Sequence, residues 1–135
     1  PIFSSVELAN IIESANLKVR RKHHPATLTF QALRIAVNGE IKELESTLDD
    51  SLSLLGIGGR LAVITYHSLE DRIVKNFIKR GTSKCDCPPL NLECTCSINP
   101  SIKIINKKPI TPSSTEISSN PRSRSAKMRV IERII

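Results

Sequence analysis

The residues best equipped for chemistry are His67, Ser68, Glu70 and Asp71, in the run His67-Ser68-Leu69-Glu70-Asp71-Arg72. No nucleophile–base pair stands out among them, and Ser68 beside His67 does not make a triad. The same letters also describe the start of a helix. Ser68 and Asp71 have capping-box spacing, with Asp in place of the usual Glu. A capping Ser beside a strand-end His explains both residues without catalysis, and neighbours in sequence rarely present side chains to one another for proton transfer. Of the group, His67 has the strongest positional claim to a catalytic cleft.

Two further groups of residues could carry chemistry. Cys85-Asp86-Cys87 and Cys94-Thr95-Cys96 are separated by six residues that include Pro88-Pro89. Four thiolates on one small loop could hold zinc, although structural zinc sites more often place two to four residues inside each pair. Free thiols are the alternative. His23 and His24 have no carboxylate at metal spacing and read as solvent-exposed. Basic residues gather at Arg20, Arg21 and Lys22, and again at Arg122, Arg124 and Lys127. Each set is either a solvated loop or a surface for phosphates.

The elements that must position these residues are legible from periodicity. Leu61 to Tyr66 is a nearly continuous apolar run, the pattern of a strand buried on both faces of a parallel sheet. Ile73, Val74, Phe77 and Ile78 then recur at helical spacing, with Arg72, Lys75, Lys79 and Arg80 opposite. Open α/β sheets bind ligands beyond the carboxyl ends of their strands, where His67 to Asp71 fall. Upstream, Ser4 to Glu7 starts a short helix ending near Ala15 or Asn16. Thr27 caps a second helix that breaks at Asn38-Gly39. Glu40 to Leu55 forms the clearest helix, with Ile41, Leu44, Leu48, Leu52 and Leu55 on one stripe. Gly56-Ile57-Gly58-Gly59 follows it as a turn, because a phosphate-cradling glycine loop runs from strand to helix and this one runs from helix to strand. Downstream, the chain loosens at Gly81. Ser101 to Ile105 is a short strand, and Ser113 and Glu116 sit at capping-box spacing. Lys127 to Ile134 alternates as a final strand, with Met128, Val130 and Ile134 on one face and Lys127, Arg129 and Arg133 on the other.

Composition narrows the partner. Lys plus Arg number 20 against 13 Asp plus Glu, a formal charge of +7 that favours an anionic partner, most simply nucleic acid. With no Trp and one Tyr, a base-stacking platform is not expected. No stretch approaches the ~18 apolar residues of a membrane span and no signal-peptide pattern opens the chain, so the expected location is cytoplasmic, without a membrane partner.

Five motifs, read together, go further. His24-Pro25-Ala26-Thr27, Thr29 to Asn38, Gly58-Gly59-Arg60-Leu61, His67 to Lys75, and Asn120-Pro121-Arg122-Ser123-Arg124-Ser125-Ala126-Lys127-Met128-Arg129 together resemble the ribosomal RNA small subunit methyltransferase H family, also called MraW. The resemblance covers essentially the whole chain. It implies an α/β fold: a partial Rossmann-like S-adenosylmethionine-dependent methyltransferase core plus the end of an inserted helical domain. Residues 1–25 would close that substrate-recognition insertion. Residues 26–135 would form the C-terminal half of the core, with a cysteine-containing loop at about 82–99 and an antiparallel last strand.

The implied reaction is methylation of the exocyclic N4 of a cytidine in 16S rRNA, with the small ribosomal subunit as partner. Family members are roughly twice as long. The Gly-rich loop, the acidic residue for the cofactor ribose and the Asp-containing loop near the transferred methyl have no counterpart here, so no cofactor-binding residue is assigned. The chain alone is then expected neither to bind S-adenosylmethionine tightly nor to turn over. Half a sheet would also leave a bare strand edge and apolar helix faces. The rival reading is a non-catalytic RNA-binding or zinc-stabilised remnant domain.

Overall fold

The computed structural model describes residues 1–15, 24–83, 85 and 99–135. The chain forms two compact units, Pro1–Glu40 and Ile41–Ile135.

The first unit holds α1 (Ser5–Ala15) and α2 (Thr27–Asn38). At the start of α1, Ser4 Oγ accepts a hydrogen bond from the Glu7 amide at 3.1 Å, and Glu7 Oε2 accepts one from the Phe3 amide at 2.9 Å. The start of α2 differs from the expected Thr27 cap. Thr27 is the first helical residue, Ala26 takes the cap position without a side-chain bond, and His24 Nδ1 accepts from the Ala26 amide at 3.2 Å. The break after α2 falls at Gly39, whose φ of 66° suits a residue without a side chain. Val6, Ile11, Leu33 and Val37, from the apolar stripes of these helices, are exposed.

The second unit runs α3 (Glu40–Leu54), β1 (Arg60–Thr65), α4 (Ser68–Thr82), β2 (Ile102–Ile104), α5 (Ser114–Ser119), a 3-10 turn (Pro121–Ser125) and β3 (Lys127–Arg133). Its sheet has the order β1-β3-β2, with β3 antiparallel to both neighbours. Leu61 stands opposite Ile131 and Thr65 opposite Lys127. Leu48 of α3 meets Val74, Phe77 and Ile78 of α4 together with Ile102 and Ile131 of the sheet. Burying each such side chain contributes about 1.5–3 kcal/mol.

β1 departs from the expected strand of a parallel sheet covered on both faces. Its burial alternates, with Thr65 buried, Leu61 and Val63 part-buried, and Arg60, Ala62 and Ile64 exposed. The core helices α3 and α4 pack on one face, and among the described residues β1 pairs only with β3. Across the outer face, the segment Ile110–Glu116 borders a shallow pocket beside Ile64 and Met128. Ile64 stays 53% exposed.

β3 turns its basic face inward. The buried residue is Ile131, which shares a face with Lys127, Arg129 and Arg133 rather than with Met128 and Val130. Long stems pack while the charged heads find partners. Arg133 Nη1 donates to the carbonyls of Leu52 at 3.1 Å, Ser53 at 2.9 Å and Leu55, closing the carboxyl end of α3.

The chain loosens where expected, since α4 ends at Thr82, one residue after Gly81. A Cβ there would come 2.7 Å from Cγ1 of the buried Ile102, so the missing side chain is what lets β2 approach. The Gly81 carbonyl accepts from the Ser101 amide at 2.9 Å.

Candidate functional site

Tyr66 and His67 connect β1 to α4, which puts them at the carboxyl end of β1. The residue that caps α4 is His67, not Ser68, and its partner is Glu70, not Asp71. His67 Nδ1 accepts from the Glu70 amide at 3.3 Å. Glu70 Oε2 accepts from the Tyr66 amide at 2.7 Å and the His67 amide at 3.2 Å. An extended backbone at His67 (φ −139°, ψ 165°) aims the ring at amides that the helix itself leaves unbonded.

This geometry sets the tautomer of the neutral ring. Because Nδ1 accepts, the neutral imidazole carries its proton on Nε2. Nε2 lies 3.0 Å from Glu70 Oε1 but off the line a hydrogen bond needs, so this buried nitrogen has no aligned partner.

One turn further on, Asp71 is buried under three cations. Arg129 Nε donates to Oδ1 at 2.8 Å, while the ammonium groups of Lys75 and Lys127 stand 3.6 Å and 3.7 Å from Oδ2. Burial pushes the Asp71 carboxyl up. The hydrogen bond and charge of Arg129, followed by the charges of Lys127 and Lys75, outweigh burial and hold it below its ordinary value. The Asp71–Arg129 pair joins α4 to β3 just behind the His67 turn. Sequence reading treated Asp71 as a cap and gave Arg129 no role. The available signal was position: Asp71 is three residues before Val74 and seven before Ile78, on the stripe that α4 buries, where a carboxylate needs a cation.

The register brings a second group to this end of the sheet. Thr65 pairs with Lys127, and the turn just before Lys127 carries Arg122 and Arg124, both exposed. No carboxylate pairs with either arginine among the described residues. Lys127 differs, since it faces Asp71. Arg20, Arg21 and Lys22 lie outside the described residues, as do Cys87, Cys94 and Cys96; Cys85 is described and exposed. Among the described residues no group of three or more His, Cys, Asp or Glu side chains could hold a metal ion. None of the described helices is long and apolar enough to cross a membrane.

Comparison with known proteins identifies the lineage. The family model described as the MraW methylase family matches residues 1–134. The chain belongs to the MraW methylase family. It is similar to proteins named ribosomal RNA small subunit methyltransferase H. That of Dehalococcoides mccartyi is 57% identical over 135 residues, all of this chain and 39% of the relative. The one from Lawsonia intracellularis is 51% identical over 138 residues, all of this chain and 44% of the relative. The one from a Geobacter species is 51% identical over 136 residues, 99% of this chain and 44% of the relative. This MraW chain thus spans about two fifths of the length of the curated relatives it matches.

Methyltransferases of such a family use S-adenosylmethionine, and the described MraW residues do not fit a cradle for it. The Gly56–Gly59 turn enters a strand from a helix, and the strand-to-helix turn at Tyr66 and His67 contains no glycine. A carboxylate to hold a ribose is also wanting at that turn, because Glu70 is spent on the helix cap.

Proposed function

We propose that these residues are the C-terminal part of an S-adenosylmethionine-dependent enzyme that methylates the N4 amine of a cytidine in 16S rRNA, on the small ribosomal subunit. Cofactor binding then belongs to polypeptide outside this chain, and the 135 residues alone are inactive. Residues 1–25 end a helical substrate-recognition insertion, and residues 26–135 form the returning half of the core. The observation that carries this reading is the match of residues 1–134 to the methylase family.

The geometry supports roles for this chain's own side chains. His67 stands at the strand end where α/β enzymes place ligands. Its Nδ1 is occupied by the cap and its Nε2 is buried beside Glu70, so meeting a substrate amine or base edge requires the turn to open and uncover the Nε2 proton. Asp71 and Arg129 hold the turn in register against β3. Arg122 and Arg124, and with them Arg20, Arg21 and Lys22, supply cations for rRNA phosphates, and Lys127 adds its charge beside Asp71. Rate enhancement then comes chiefly from presenting the amine to the methyl donor in the correct geometry.

The full gene product, given labelled S-adenosylmethionine and small subunits, should yield N4-methylcytidine on nucleoside mass spectrometry. His67→Asn keeps a good capping acceptor but removes the imidazole, so it should fold normally and lose about tenfold or more in rate. Label on another atom or on another RNA would refute the reading. A His67→Asn enzyme as fast as wild type would reduce His67 to a helix cap.

A further inference from the structure

A second basic feature lies away from the His67 turn. Asp71, Lys75, Ile78, Lys79 and Thr82 follow one another at helical spacing along α4. Beside them, α4, β3 and the segment Ile104–Lys107 enclose a pocket of about 280 Å³. Lys75, Lys79, Lys107 and Arg129 surround a floor of Ile78 and Ile104. None of the described lining residues is acidic.

The polar groups of the wall are already committed, with one class excepted. Asn106 Oδ1 accepts from the Val130 amide at 2.6 Å, and its Nδ2 donates to the carbonyls of Lys108 at 2.8 Å and Met128 at 3.1 Å. This clamp fixes the backbone that carries Lys107. The Thr82 hydroxyl donates to the Ile78 carbonyl at 2.9 Å. Arg129 and Lys75 share Asp71 with Lys127. Lys79 and Lys107 are exposed and have no carboxylate partner among the described residues. What remains for a ligand is ammonium charge, which binds phosphate as a point charge and reads no base.

We propose that this pocket grips a backbone phosphate of a single RNA strand, with Lys79 and Lys107 on the phosphate and Ile78 and Ile104 beneath the sugar. The proposal rests on the reading that the protein acts on RNA. It adds a contact toward the carboxyl end of α4, away from Arg122 and Arg124 and reached along the basic stripe of that helix. Such a grip would hold RNA that leaves the catalytic end of the sheet.

The test is RNA binding by the full gene product across a sodium chloride series, using a fluorescent single-stranded fragment of 16S rRNA. Lys79→Gln with Lys107→Gln should weaken binding about tenfold and make the salt dependence shallower by about one ion. Lys42→Gln with Lys103→Gln removes the same charge elsewhere and should leave the slope unchanged. An unchanged slope in the pocket variant, or equal losses in both pairs, would overturn the proposal. Inorganic phosphate at matched ionic strength should displace RNA from wild type better than chloride does and lose that advantage in the Lys79→Gln, Lys107→Gln variant. An equal advantage in both proteins would overturn the pocket. A wild-type protein that binds no RNA at all would instead sink the functional reading beneath the proposal.

Discussion

At the scale of single residues, Asp71 does most to hold the site together. It is 5% exposed and bonded to Arg129, so its charge is tolerated only because cations surround it. Replacing it with Asn leaves those cations without their counter-charge. Asp71→Asn should cost about 2–4 kcal/mol in urea unfolding at neutral pH. The sign of the pH dependence follows from the lowered carboxyl. Its contribution is fully present above the unfolded-state value, about 3.9, and is lost as pH falls through the lower folded value. Wild type should therefore lose stability on acidification below about pH 4, and Asp71→Asn should lose less over the same window. Equal acid sensitivity in the two proteins would contradict this role. The histidine was visible in the sequence, and so was its place at a strand end. Which residue caps was not, because His67 and Ser68 both offer an acceptor and only backbone geometry chooses between them.

The elements were mostly legible, since their stripes are long and their caps are local. Glu40 to Leu54, Ser113 with Glu116, and the closing strand fall where periodicity put them. The failures share a cause: each depends on what the element packs against. Gly81 marks the loosening of the chain by residue type and α4 does end one residue later, but that Ile102 fills the space a side chain would take is not visible in the sequence. Two opposed effects meet there. Gly→Ala inside a helix gains about 1 kcal/mol in propensity, whereas overpacking a filled site costs about 1–3 kcal/mol. Gly81→Ala should thus destabilise by about 0–2 kcal/mol in wild type and become stabilising when Ile102→Ala has made room. Thermal unfolding of the double-mutant cycle measures that coupling, and simple additivity would contradict it. The inward basic face of β3 was hidden for the same reason. Alternation shows two faces, but only the partners of Arg129 and Arg133 decide which one is buried.

At the scale of the molecule, the second unit is a sheet left open. Helices α3 and α4 cover one face, while Ala62 and Ile64 look outward from the other and the far edge of β1 meets no strand among the described residues. Exposed edges and apolar faces of this kind are ordinarily covered. Together with relatives more than twice as long, they fit a sheet completed by further polypeptide, the part we propose carries the cofactor. In the sequence, the apolar run Leu61 to Tyr66 is the feature that asks for cover on both faces. In an antiparallel pair, alternate amides of β1 point to β3 and the others point away. Hydrogen exchange resolved at each amide from Arg60 to Thr65 in the full gene product tests the completed sheet most directly. Slow exchange at every one of these amides is the predicted result. Fast exchange at every second amide, the signature of a free edge, would contradict it.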